Sequence, residues 1–256
     1  MNIAISPCPN DTFIFGHLIE GHVPWDGPEL QFEYLDIQAL NEAALSETCP
    51  FDLIKCSYAL YPKIVDRFDL FPIGAALGMG VGPLLVGQPG LPLDERKIIY
   101  VPGYDTTAHQ LFKHYGPQNI ETKALRYDLL IEALTQDASV AGVVIHESRF
   151  TYKELGLGLL LDLGAEWEQD TQLPLPLGGP VISKNCDTEY ARKLEVAVKT
   201  SLKMAWEDRS GIESLMKQHA QEMELDVMAS HVDLYVNQYS LDLGDQGRKA
   251  IQRLNA

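Results

Sequence analysis

The sequence predicts an α/β fold of two lobes with a helical segment at the C-terminal end. Three observations carry this. Short apolar runs alternate with helix-periodic segments from Ile3 onward. The alternation breaks at Gly87-Gln88-Pro89-Gly90-Leu91-Pro92 and then starts again at Lys97. After Asp187 almost every segment has helical spacing. Two α/β lobes joined by two crossings leave a cleft, where small ligands commonly bind.

The elements follow in order. Ile3–Ile5 reads as a strand and Phe13 to Glu20 as a helix, with a rigid turn, Ser6-Pro7-Cys8-Pro9, between them. Asn10, Asp11 and Thr12 offer an N-cap for that helix. Leu30, Phe32 and Tyr34 alternate as in a strand, and Gln38 to Glu47 has helical spacing. Asp52–Cys56 is a strand, and Ser57 can cap a helix that carries Tyr58, Tyr61, Val65 and Phe68 on one face, with Pro62 in its first turn. The glycines at 74, 78, 80 and 82 match neither GxGxxG nor a P-loop, so a bend or close packing is expected there. Pro83–Val86 is a strand.

After the break, Lys97–Val101 is a strand, Pro102–Asp105 a turn, and Thr106-Thr107-Ala108 the start of a helix to Tyr115. Thr122–Arg126 is a strand, Asp128 caps a helix to Gln136, and Val140–Ile145 is a buried strand. Leu159–Leu163 is a further strand. The run Leu173 to Pro180, with prolines at 174, 176 and 180, reads as the second crossing. Tyr190–Trp206 is amphipathic, with Leu194, Val198, Leu202 and Ala205 inward, and helices follow over 212–221, 226–239 and 245–254. The expected division is residues 1–88 plus 180–256 for the first lobe and 92–176 for the second. The crossings fall near 88–92 and 176–180.

Composition narrows the function. The 256 residues carry a formal net charge of −16, which argues against a partner held by phosphate neutralisation, so no nucleic acid is expected. No run approaches the length of a membrane span. The N-terminal residues lack a basic and apolar leader pattern, so the expected location is the cytoplasm. The four cysteines, Cys8, Cys49, Cys56 and Cys186, have no metal-ligand spacing, and neither a disulfide framework nor a bound metal is expected.

His146 ends the buried strand at the carboxyl edge of a parallel sheet, where imidazole can act as general base or acid; a histidine bonded to backbone is the alternative. His146–Phe150 is no zinc motif, since position 150 is not histidine. Ser6, Cys8, Asn10 and Asp11 can face the cleft, with Asn10 the best polar contact of that turn. Lys55, Cys56 and Ser57 end another strand. Cysteines at the carboxyl ends of two strands suggest a redox pair, but the stronger reading of Cys56 is a small apolar core residue, and Ser57 reads as a cap or ligand contact rather than a nucleophile, since no GxSxG surrounds it. Thr106 and Thr107 at a helix start suit a carboxylate or phosphate, or simply cap the helix. Arg126 and Arg149 can pair with an anionic substrate or with the protein itself.

Several of these stretches together resemble one family. Residues 6–15 (Ser-Pro-Cys-Pro-Asn-Asp-Thr-Phe-Ile-Phe), 55–59 (Lys-Cys-Ser-Tyr-Ala), 80–84 (Gly-Val-Gly-Pro-Leu), 106–108 (Thr-Thr-Ala), 145–152 (Ile-His-Glu-Ser-Arg-Phe-Thr-Tyr) and 173–178 (Leu-Pro-Leu-Pro-Leu-Gly) are similar to the 1,4-dihydroxy-6-naphthoate synthases of the futalosine route to menaquinone. The resemblance spans about residues 3–243. It implies a type II periplasmic-binding-protein-like fold with a hinge between two lobes. It implies a cofactor-free carbon–carbon lyase acting on cyclic dehypoxanthinyl futalosine, with His146 as proton acceptor. It also implies substrate contacts from Lys55, Cys56, Ser57, Thr107 and Ala108. A non-enzymatic binding protein of the same fold and the sister chorismate dehydratase are the competing readings.

Overall fold

The computed structural model describes residues 1–145, 148–220 and 225–256, with the backbone alone of 127 and 128. The chain divides into two compact units, residues 1–78 with 176–256 and residues 79–175.

The first unit opens with β1 (Asn2–Ile5), α1 (Pro9–Ile19), β2 (Gln31–Tyr34), α2 (Ile37–Leu45) and β3 (Leu53–Ser57). β1 pairs in parallel with both β2 and β3, so the order is β2-β1-β3. A 3-10 turn over Tyr58–Lys63, β4 (Phe68–Leu70) and β5 (Ala76–Gly78) follow.

The second unit starts with β6 (Leu84–Gly87), β7 (Ile98–Val101), α3 (Thr107–Tyr115), β8 (Glu121–Ala124), α4 (Tyr127–Gln136) and β9 (Val140–Val144). It continues through α5 (Ser148–Thr151), β10 (Gly158–Asp162) and α6 (Leu163–Thr171). β7 pairs in parallel with β8 and β9, and β6 lies antiparallel between β9 and β10.

The chain then returns to the first unit as β11 (Leu175–Ser183), antiparallel between β3 and β4. It closes with α7 (Thr188–Glu207), α8 (Glu213–His219), α9 (Leu225–Tyr235), α10 (Gln238–Leu241) and α11 (Gly244–Leu254).

The two sheets repeat one plan. Each holds a βαβαβ unit whose first strand lies between the other two, β2-β1-β3 and β8-β7-β9. An antiparallel strand from the opposite end of a crossing then lies beside the third, β11 in one unit and β6 in the other. In both units the direction of winding reverses at the first strand. The carboxyl ends of β1 and β3, and of β7 and β9, are therefore switch points, where open α/β sheets leave room for ligands.

Burial follows the expected patterns. Leu194, Val198, Leu202 and Ala205 of α7 are fully buried and join a core with Ile3, Ile5, Phe13, Phe15, Leu53 and Phe71 on one face of the first sheet. Leu40, Ala44, Ile54, Cys56 and Ile64 fill the other face. Each large apolar side chain so buried contributes about 1.5–3 kcal/mol relative to exposure. The second unit has its own cluster of Leu84, Val86, Leu130, Leu134, Val140 and Val144. Among the described residues no helix is long and apolar enough to cross a membrane.

Several expectations are corrected. The first division does not fall at 88–92, because β6 hydrogen-bonds to β9 and β10 and is buried along its whole length. The Gly/Pro break after it is a turn inside the second unit. Arg96 pins that turn, its guanidinium donating to the carbonyls of Gln88, Leu91, Ala138 and Val140. The second boundary falls within the Pro-rich run at 173–180, as expected, between Leu175 and Pro176, but the run is not irregular. Most of it belongs to β11, paired with β3 from Gly178 to Ile182. No long helix follows Ser57: the turn ends at Lys63, and Val65 is exposed. α6 had no counterpart in the expected elements, and the expected helix 226–239 stops at Tyr235, before a capping box at Asn237 and Ser240. The bend expected among the glycines is present, Gly80 having φ +70°. A side chain at Gly82 would collide with the backbone of Gly164.

Candidate active site

In the first unit, the switch point between β1 and β3 holds a buried polar cluster. Helix α1 begins earlier than expected, at Pro9, with Cys8 as N-cap making no side-chain cap bond. Proline suits the first helical position, where its missing N–H costs nothing. Asn10, Asp11 and Thr12 consequently lie inside the first turn and do not cap it. Thr12 donates its hydroxyl back to the carbonyls of Cys8 and Pro9.

Asp11, freed from capping, turns toward the strand end. One carboxylate oxygen accepts from the Ser6 amide at 2.9 Å and the Ser6 hydroxyl at 2.6 Å. The other accepts from Asn10 Nδ2 at 2.9 Å and Lys55 Nζ at 2.6 Å. Four donors fill the acceptor capacity of a carboxylate. The Asp11 and Lys55 side chains are only 1% and 7% exposed, so this is a buried ion pair. Such a pair is tolerated when further hydrogen bonds satisfy it. Among the described residues, the only hydrogen bond from the Lys55 ammonium goes to Asp11. An ammonium has three N–H donors, so two remain for a ligand or water.

Two residues on, Ser57 is held by Asn41 of α2. The Ser57 amide donates to Asn41 Oδ1 at 2.9 Å, and Asn41 Nδ2 donates to the Ser57 hydroxyl at 3.0 Å. The Ser57 hydroxyl keeps its own proton free for donation while accepting from Asn41. Asn41 was not singled out by sequence. Its signal is a fully buried amide on the apolar stripe Ile37, Asn41, Ala44.

Cys56 departs from the expected substrate contact. Strand side chains alternate between faces, and the Cys56 thiol lies in the apolar cluster of α2, away from Lys55. Burial pushes its thiol pKa up to about 12, against a smaller lowering by Lys55. It is an inert core thiol, and only its backbone is left to meet a ligand.

The second unit repeats the strand–turn–helix plan at the end of β7. Thr106 is the N-cap of α3: its hydroxyl accepts from the His109 amide at 3.2 Å and donates to the Gly103 carbonyl at 2.7 Å. His109 Nδ1 meets the Tyr104 carbonyl at 2.8 Å. Thr107 and Ala108, both buried, fill the first turn. The Thr106 hydroxyl is thus used in capping, and what this helix start offers is its backbone N–H groups and the residues of its first turn. Arg149 donates to the Gly80 carbonyl at 3.0 Å, a contact within its own unit. His146, the expected base, lies outside the described residues. In sequence it falls in the connection between β9 and α5. Among the described residues no group of three or more His, Cys, Asp or Glu is placed to hold a metal ion.

Two α/β units of this topology, each with polar residues at its switch point, define a protein of the periplasmic-binding-protein-like class. A solved Candida albicans protein described as having the generic periplasmic binding protein fold shares that architecture. It has a TM-score of 0.69 and 10% identity over 99% of this chain and 89% of that one. A solved protein from Archaeoglobus fulgidus is nearer, at TM-score 0.92 and 29% identity over 99% and 94% of the two chains. The chain belongs to the menaquinone biosynthesis family, whose model matches residues 1–256. Two relatives named 1,4-dihydroxy-6-naphtoate synthase align over nearly its whole length. One, from Thermus thermophilus, is 41% identical over 100% of this chain and 93% of its own. The other, from Streptomyces coelicolor, is 36% identical over 99% and 91%. The chain therefore belongs among enzymes of menaquinone biosynthesis.

Proposed function

We propose that this enzyme converts cyclic dehypoxanthinyl futalosine to 1,4-dihydroxy-6-naphthoate by a carbon–carbon cleavage in which His146 is the general base. The observation that carries the reading is the full-length similarity to two relatives of that name, at 41% and 36% identity. The polar groups at the two switch points support it.

In the proposed reaction His146 accepts a proton from the substrate. The bond to the ribose-derived fragment breaks, and the bicyclic system aromatises as that fragment leaves. Lys55 and Ser57 contact the substrate through N–H and O–H donors, Cys56 through its backbone, and Asn10 as part of the Asp11 cluster. Thr106, Thr107 and Ala108 contribute the start of α3, whose partial positive charge favours an anionic or carbonyl oxygen. Closing out water around the base would strengthen each of these contacts.

The test is to incubate the protein with cyclic dehypoxanthinyl futalosine and, separately, with chorismate. Wild type is expected to release dihydroxynaphthoate, and His146→Ala to lose about 10²–10⁴-fold in kcat, the usual contribution of a positioned base. Dehydration of chorismate with no turnover of the futalosine derivative would overturn the assignment. Full activity of His146→Ala would remove the histidine from its role.

A further inference from the structure

We propose that Asp11 is a positioning residue: it fixes the Lys55 ammonium so that its two remaining N–H groups receive the carboxylate of an aromatic acid ligand. This rests on the naphthoate reading for the identity of the ligand, not for the geometry.

The lysine side chain has four rotatable carbons and about 2 kcal/mol of rotamer entropy, so it is a poor aiming device on its own. Here it emerges from the middle of β3 and is bonded at 2.6 Å to one oxygen of a carboxylate in the first turn of α1. That carboxylate cannot swing. Its other oxygen is held by both donors of Ser6, at the end of β1, and its Lys55-facing oxygen also takes Asn10 Nδ2. The chain of contacts runs from β1 through Asp11 to β3, across the switch point. Pre-ordering of this kind raises affinity by removing the ordering cost from the binding step. The carboxyl-edge candidate of the second unit, Thr106, spends its hydroxyl on capping. Lys55 is therefore the better-equipped partner for an anion.

The experiment measures binding, not turnover, so it stands if the catalytic assignment falls. Two probes of one shape are used, 2-naphthoate and its uncharged amide, 2-naphthamide, by calorimetry. Wild type is expected to prefer the acid by tenfold or more. Asp11→Asn is expected to lose at least fivefold in 2-naphthoate affinity and less than twofold in 2-naphthamide affinity. In a Lys55→Met background the further change Asp11→Asn should bring no loss of 2-naphthoate affinity, because Asp11 acts through Lys55. Ser6→Ala, which removes one donor that holds Asp11, serves if Asp11→Asn does not fold. It should lose two- to fivefold for the acid alone, again only when Lys55 is present.

Equal losses for both probes, or additive losses in the Lys55→Met background, would make Asp11 merely structural and overturn the proposal. A gain in 2-naphthoate affinity in Asp11→Asn would show that Asp11 competes with the ligand's charge, and would overturn it too. No preference for the acid in wild type also overturns it. If wild type prefers the acid and Asp11 and Lys55 are coupled, but the futalosine derivative is not turned over, the proposal stands and the catalytic reading fails.

Discussion

The two switch points are built from the same βαβαβ plan but spend their polar groups differently. At the end of β1 the first-turn residues leave helix capping to the backbone and reach across to another strand, so that Ser6, Asp11 and Lys55 form one buried network. At the end of β7 the equivalent turn is self-contained. Thr106 caps its own helix, and His109 reaches back to Tyr104 within it. One start is a device that fixes a charge from a distance. The other is a helix start capped from within its own turn. The difference lies in position: Asp11 stands in the first turn, past the N-cap, and its carboxylate reaches Ser6 and Lys55, whereas Thr106 is itself the N-cap.

The sharpest way to break this comparison is Lys55→Met. It strands a buried carboxylate that still has three donors, and should cost about 3 kcal/mol, the low end for a broken buried pair. Local hydrogen exchange across β1 and β3 reads the loss in the first unit without assuming one cooperative transition. The double variant Lys55→Met with Asp11→Asn should recover about half of it, since a neutral buried pair is far cheaper than one uncompensated charge. If the single variant costs no more than an exposed lysine does, the pair is not buried in solution.

This contrast also explains what could be read from the sequence. The alternation of strands and helices, and the α7 stripe at 194, 198, 202 and 205, were legible because burial imposes a period on one face. Asp11 was visible as a polar residue of a site-like turn, but its partner was not. Lys55 lies forty-four residues away, and nothing local in either stretch records a parallel pairing of β1 with β3. Asn41 was hidden for the same reason. The first boundary, and the loop character of the second, failed where composition speaks against structure. Pro180 marks a loop by propensity, yet β11 pairs with β3 through it, and the Gly/Pro turn at 87–92 is tied by one arginine to two carbonyls of its own and to two more that are over forty residues away, at Ala138 and Val140. Tertiary pairing overrides local propensity at both places.

A smaller effect is expected in the second unit. Thr106→Ala removes a side-chain cap and should cost about 1 kcal/mol, with Thr106→Ser nearly neutral. Amide exchange at His109 and the rest of the first turn of α3 should speed up about fivefold, the factor that about 1 kcal/mol implies. Exchange in β1 and β3 should not change. A loss that spreads into the first unit would mean that the second helix start is not self-contained.

The smallest expected signal separates the two faces of β3. Lys55 and Cys56 are neighbours in sequence, yet one carries a charge into the polar cluster while the other lies fully buried in the opposite apolar cluster. Reaction with a disulfide reagent needs the thiolate, and burial holds the Cys56 thiol at about 12. Between pH 7 and 9 the half-buried Cys49 and Cys186, whose thiols burial raises less, should therefore label much faster than Cys56. Up to pH 9 fewer than about one in a thousand folded molecules carries the Cys56 thiolate, so its labelling there proceeds through opening of the first unit. Because opening exposes the thiol, its slow labelling rate at pH 8 should increase in Lys55→Met by the same factor as local exchange in β3. A Cys56 that reacts promptly at pH 8 in the wild type would place the thiol on the polar face, restore it as a ligand contact, and reverse the assignment of faces along the strand.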